Sequence, residues 1–472
     1  MVFSDLFFLF VFLPAFILCY SLAGLVDKGK LAFRNSVLVV FSLIFYAWGE
    51  PVYVFLMLLC VLLNWLAGLG IARAERHRKL ALTLGLIANL TILCTFKYLG
   101  FLAAQLVGLG VPVGVPNIAL PIGISFYTFQ SISYLIDVYR REACVQRRFW
   151  DLLLYISMFP QLIAGPIVRY GTIAREIHER HVSAQDVSDG VFRFLIGLGK
   201  KVIIANQMGE IADQFLKNGI NDLSIAGAWV GIVAFTFQIY FDFSGYSDMA
   251  IGMGRCMGFH FNENFNHPYI SRSITEFWRR WHISLGSFFR DYLYIPLGGN
   301  RRHQALNILV VWFLTGMWHG ASWNFILWGV YFGIIVMVEK YTLLKIQKYI
   351  PRPFLHLYSI LLFVIGWGIF YFDDFGPMQQ FFRAFVGKAE MLSDFSVESA
   401  LLDHFWLWLM ALIFCLPVRT WVTEWYENHV KTCAFKSFLA VSSKTLVSIL
   451  ILVLSTALLV GATNNAFIYT RF

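Results

Sequence analysis

Charge is what this chain has least of. Only 14% of its 472 residues are Asp, Glu, Lys or Arg, against 58% hydrophobic, and the mean hydropathy is +0.66. A water-soluble globule of this size needs far more polar surface, so that class is excluded. Cysteine is sparse and unorganised: the seven (Cys19, Cys60, Cys94, Cys144, Cys256, Cys415, Cys433) are scattered and odd in number. No CxxC or CxH pair occurs, so neither a zinc site nor a disulfide framework is supported, and the chemistry is expected to need no metal. Repeats, low-complexity tracts and polar linkers are also missing, which leaves one polytopic domain over residues 1–472. The first apolar run, residues 3–25, has no basic n-region or small-residue cleavage site and reads as a retained helix, not a signal peptide.

What is present is a succession of apolar spans. Residues 35–49, 52–72, 80–107, 118–138, 187–215, 224–254, 304–318, 321–339, 354–372, 401–418 and 445–461 follow the first, giving about twelve crossings. The net charge of +9 would suggest nucleic acid for a soluble protein. Here the cations sit in alternate loops, so membrane orientation and anionic lipid explain them and nucleic acid is not expected. By the positive-inside rule the basic loops face the cytoplasm and both termini lie outside. Residues 150–163 are too short to cross, and Pro160 and Pro166 bracket their end, which fits a re-entrant hairpin covered by protein.

The polar chemistry concentrates in one place. Between residues 264 and 324 lie Glu276, Arg279, Arg280, His282, Arg290, Asp291, Asn300, Arg301 and Arg302, with His319 inside the following apolar span. Trp278, Trp281, Leu285, Phe288 and Tyr292 fall at helical spacing, so one helix would pack an aromatic face and turn His282 to the other, near the surface. His319 has only Met317, Trp318, Gly320 and Ala321 beside it. An ionisable residue in such surroundings is a functional candidate, because hydrocarbon penalises it. The plainer alternative is a core histidine satisfied by a backbone carbonyl. His319 lies roughly 25 Å along a helix from Arg302, deep in the membrane, where Gly320 would end the helix. For the arginines the plainer alternative is anchoring and pairing with Glu276. Asp242 and Asp248 read as helix caps or partners of that arginine cluster.

The stretch TEFWRRWHISLGSFFRDYLYIPLGGNR followed by MWHG resembles the membrane-bound O-acyltransferase superfamily, in the branch of bacterial alginate and peptidoglycan O-acetyltransferases. The segments LPIGISFYTFQSISYLIDVYR, FPQLIAGPIVR and YFDFSGYSDMAIGMG resemble the same branch, so residues 120–324 read as the catalytic core. The resemblance implies an all-α polytopic protein with about twelve transmembrane helices plus re-entrant and interfacial helices around a central channel. It implies His319 as catalytic base and His282 as its partner. Arg279, Arg280, Arg290, Asn300 and Arg301 would grip an acetyl-CoA donor. The tail 464–472 resembles the FIYFxF ending of some members, with Thr470 where that motif carries an aromatic, and makes Tyr469 an acyl relay; otherwise it is an interfacial anchor.

The implied activity is transfer of acetyl from cytoplasmic acetyl-CoA across the bacterial inner membrane to an extracytoplasmic polysaccharide, through a periplasmic partner. A secondary transporter and a scaffold recruiting a glycan synthase are the alternatives.

Overall fold

The computed structural model describes residues 2–27, 30–73, 76–163, 165–429, 434–462 and 467–468. Among them every regular element is helical. Eight helices are long and apolar enough to cross a membrane: Phe8–Val26, Ala32–Gly49, Tyr53–Arg73, Arg78–Lys97, Ile225–Cys256, Trp323–Tyr349, Arg352–Tyr371 and Ala440–Gly461. A ninth forms if the pair Phe395–Leu402 and Phe405–Cys415, bent by 62°, counts as one span. The fold is therefore an all-α polytopic membrane protein.

The remaining expected crossings differ for physical reasons. The helix Ile124–Arg140 buries Ser125, Thr128, Gln130, Ser131, Ser133 and Asp137, so protein surrounds it. Residues 187–215 fall in the helix Ala184–Gly199, a π-helical turn Lys200–Ala205, the helix Asn206–Asp213 and a second π-turn from Gln214. The helix Gln304–His319 has 16 residues, about 24 Å of rise against about 30 Å of hydrocarbon.

The chain divides into two compact units. The first comprises Met1–Phe194, Ser247–Glu263 and Tyr469–Phe472. Its helices Tyr53–Arg73 and Arg78–Lys97 are joined by reciprocal amide hydrogen bonds between Asn64 and Asn89, at 3.0 and 2.7 Å. Each amide also donates to its own helix four residues back, a pairing suited to a membrane interior. The helix Phe149–Ser157 stops at Met158 because Pro160 follows, and residues 152–163 are all buried. Broken backbone away from water is tolerated only with such cover. Arg180 donates to the Met257 carbonyl at 3.0 Å and to Asn35 Oδ1 at 2.7 Å. Arg193 bonds Asp248 at 2.8 Å and also pairs with Glu263, so Asp248 has an arginine partner within this unit.

The second unit, Leu195–Tyr246 and Asn264–Ile468, carries the polar block. Its helices Gln304–His319 and Trp323–Tyr341 pack at glycine. A Cβ on Gly316 would clash with the Phe325 carbonyl oxygen, and one on Gly329 with that of Trp312. Without a hydrophobic force between helices in lipid, this close backbone approach supplies the packing. It fixes the end of the first helix, where His319 sits.

Candidate active site

The stretch 274–294 is not the single amphipathic helix its spacing suggests. The helix Ile274–Arg280 ends at Trp281, and a second, Ile283–Phe289, begins after His282. His282 adopts φ 46°, a left-handed conformation uncommon outside glycine. No glycine or proline marks this break. Asn264 holds it instead: its carbonyl accepts Ile283 N–H at 2.9 Å, and its Oδ1 accepts the Ser284 hydroxyl at 2.8 Å.

The first short helix is seated by a buried acid. Glu339, fully buried in the helix Trp323–Tyr341, accepts the backbone N–H groups of Ile274 and Thr275, each at 2.7 Å, and the Thr275 hydroxyl at 2.6 Å. Ser273 caps the same end by accepting Glu276 N–H at 3.0 Å. These bonds satisfy the donors that a helix start leaves open.

His282 is buried at 1% exposure, where the helical reading puts it near the surface. The break turns it inward, edge-on to Phe243 with ring centroids 4.6 Å apart. Its Nδ1 lies 3.1 Å from Asn264 Oδ1, an acceptor that also takes the Ser284 N–H and hydroxyl. Nδ1 therefore carries the proton and Nε2 the lone pair. Burial pushes the imidazole down to about 3, so it is neutral at physiological pH.

His319 is the last residue of its helix, and Gly320 continues in extended conformation. The histidine is 2% exposed and ringed by Trp318, Trp328 and Phe370, with centroids 4.9, 4.9 and 5.4 Å away. Trp318 also lies 6.0 Å from His282. A further aromatic block of Phe277, Trp281 and Trp367 backs the site. The structure thus gives His282 and His319 a shared neighbour, the Trp318 indole.

The five expected donor-binding residues divide. Arg280 pairs with Glu276 at 2.9 Å and donates to the Asn266 carbonyl at 3.2 Å. Arg290 is 2.6 Å from Asp291, which raises its already high pKa. Both are engaged by carboxylates. Arg279 and Arg301 are exposed. Asn300 Oδ1 collects the Tyr294 hydroxyl at 2.7 Å, Gln304 Nε2 at 2.6 Å and Lys340 Nζ at 2.8 Å. Lys340, which the sequence marks only as a loop cation, thereby joins the polar block. Among the described residues no three histidine, cysteine, aspartate or glutamate side chains gather to hold a metal ion.

Tyr469 lies outside the described residues. Two tail residues are described, Phe467 and Ile468. Phe467 is 1% exposed and stacks on Tyr246 at 4.6 Å. Ile468 N–H donates to Asp242 Oδ2 at 2.8 Å, and Lys201 Nζ lies 2.7 Å from Asp242 Oδ1. Asp242 is therefore neither a helix cap nor a partner of the arginine cluster.

Residues 81–375 match the model of the membrane-bound O-acyltransferase family. A probable alginate O-acetylase, AlgI, of Azotobacter vinelandii is 43% identical over 381 residues, covering 78% of this chain and 75% of that protein. A peptidoglycan O-acetyltransferase of Helicobacter pylori is 34% identical over 423 residues, covering 82% and 80%. A teichoic acid D-alanyltransferase of Bacillus subtilis is 28% identical over 288 residues, covering 58% and 70%. Of the three activities the sequence leaves open, these matches select acyl transfer over transport or scaffolding. With its multi-pass helical architecture and these matches, the chain belongs to the membrane-bound O-acyltransferase family and is an O-acyltransferase.

Proposed function

We propose that this enzyme takes acetyl from cytoplasmic acetyl-CoA and delivers it for O-acetylation of an extracytoplasmic polysaccharide, of the alginate or peptidoglycan class. It resides in the inner membrane with both termini outside and works with a periplasmic partner. Residues 120–324 carry the catalysis. The observation that carries the reading is the placement of His319, buried at a helix end and sharing the Trp318 indole as a neighbour with buried His282.

In the chemical step His319 removes the proton from the attacking hydroxyl. The oxygen bonds the thioester carbonyl carbon, the C–S bond breaks, and the thiolate leaves and is protonated as CoA thiol. Tyr469 supplies that hydroxyl, and its acetyl ester is then attacked by a hydroxyl of the acceptor or partner. A neutral imidazole suits the first proton removal at physiological pH. His282, protonated at Nδ1 with the lone pair on Nε2, partners it as a neutral hydrogen-bonding group. Exposed Arg279 and Arg301, together with Lys340, bind the donor's phosphates. Asn300 spaces that patch, and Arg280 and Arg290 brace it through their carboxylates.

Thiol release from acetyl-CoA in oriented vesicles tests the reading. Release is expected only when donor is supplied to the face bearing residues 272–302, which is to be the cytoplasmic one. Equal release from both faces, or none with folded protein, overturns it.

A further inference from the structure

The chain contains an ionic contact that the acyl-transfer chemistry above does not use. Lys201 and Asp242 have side chains 5% and 1% exposed and are 2.7 Å apart. Burying two charges is expensive, and their attraction repays it only when the remaining hydrogen-bonding capacity is filled. One carboxylate oxygen of Asp242 faces the ammonium. The other accepts a main-chain N–H from Ile468, 226 residues later. One residue earlier, Phe467 stacks on Tyr246, four residues beyond Asp242 on the helix Ile225–Cys256, at an interplanar angle of 29°. Phe243, next to Asp242, lies 6.2 Å from Phe467 and 4.6 Å from His282.

Lys201 reaches Asp242 from the π-helical turn Lys200–Ala205. Such a turn inserts one extra residue per turn and re-aims the side chains it carries. Lys201 is buried, whereas its neighbour Lys200 is only half-buried.

We infer that Lys201, Asp242 and Tyr246 form a two-point anchor for the C-terminal tail, with a ring slot for Phe467 and a charge-balanced main-chain acceptor for Ile468. They are positioning residues: the anchor fixes the register of the tail at Phe467 and Ile468, with Phe243 in ring contact with both Phe467 and His282. This rests on the relay reading of Tyr469. Because Asp242 holds a backbone N–H, the anchor reads no side chain at 468 but excludes proline, which has no such donor. The alternative is an ion pair that only braces the Ile225–Cys256 helix, with an incidental tail.

The two differ in what a tail substitution does. Purified full-length protein is treated with carboxypeptidase Y, and truncation is followed by intact mass beside acetyl transfer to acceptor. Trimming of the natural tail is expected to stall at Ile468 or Phe467. Ile468→Pro and Phe467→Ala are expected to be trimmed past Phe467 at least tenfold faster, with transfer falling at least tenfold at normal folded yield. Ile468→Ala is expected to keep the stall and rescue transfer. Equal trimming of the proline and natural tails overturns the anchor. Fast trimming with full transfer in Ile468→Pro also overturns its positioning role. Tyr469→Phe separates this from the relay: inactivity there beside a fully active Ile468→Pro sinks the anchor alone. An active Tyr469→Phe beside an inactive, fast-trimmed Ile468→Pro sinks the relay and keeps the anchor.

Discussion

Asn264 and His282 are 18 residues apart and meet at 3.1 Å, Oδ1 against Nδ1. The same amide oxygen takes both donors of Ser284, so one side chain fixes a left-handed histidine, its tautomer and the start of the next helix. Asn264→Ala leaves those donors without their acceptor. Partners that orient a working histidine typically contribute 10–100-fold, and a loss of about that size in thiol release per folded molecule is expected. Asn264→Asp keeps an acceptor there and is expected to recover most of it. Alanine and aspartate variants of equal activity would remove Asn264 from the mechanism.

Burial of His282 makes a separate prediction about acid. Its folded-state pKa is about 3, below the ordinary value near 6.5. As pH falls below 6.5 the unfolded chain binds a proton that the folded protein refuses, so stability is lost progressively toward pH 3. At pH 5 the loss relative to pH 8 is about 2 kcal/mol. The apparent Tm in detergent is expected to fall with acid more steeply for the natural protein than for His282→Gln. Parallel pH curves for the two would show that His282 titrates normally.

The two histidines were unequally legible in the sequence, and the reason is physical. His319 sits in a run with no competing charge and before a glycine, two local signals that need no tertiary knowledge. The helix does end at His319, as that glycine suggests. The break at Trp281–His282 has no such mark. It is imposed by Asn264 from outside the segment, so periodicity alone drew a continuous helix with His282 near its surface. Lys201 and Asp242 are 41 residues apart, and Lys340 and Asn300 are 40 apart. Pairings of that kind exist only once helices are packed. The apolar runs, by contrast, outline most of the spans because hydrocarbon acts on composition directly. It fails for Ile124–Arg140, where surrounding protein replaces lipid as the solvent, and for Gln304–His319, whose 16 residues fall short of the hydrocarbon thickness.

Arg301 is exposed beside Asn300, the residue that gathers Lys340, Tyr294 and Gln304. If this patch holds donor phosphates far from the reacting carbonyl, its contribution is the same in ground and transition states. Loss of such uniform binding raises KM and leaves kcat nearly unchanged. Arg301→Ala is expected to raise KM for acetyl-CoA about tenfold at low ionic strength, with the gap narrowing in high salt because exposed charges are screened. A kcat defect at constant KM would place Arg301 elsewhere in the cycle.

His319 carries the sharpest expectation. As general base it contributes roughly 10²–10⁴-fold in rate, so His319→Ala is expected to abolish measurable acetyl transfer. Its surroundings are the rings of Trp318, Trp328 and Phe370, of which Trp328 and Phe370 pack against each other and against Trp367 without it. The Gly316–Gly329 contact, one turn earlier, still joins its helix to the next. Insertion and folded yield are therefore expected to change little, apart from a cavity cost of about 1–3 kcal/mol. A histidine kept only for structure gives the opposite pattern, with activity falling in proportion to folded protein. His319→Gln separates the two further, since it keeps polarity and much of the volume but cannot accept a proton at neutral pH. Turnover per folded molecule above a tenth of normal in the glutamine variant would show that the proton goes elsewhere.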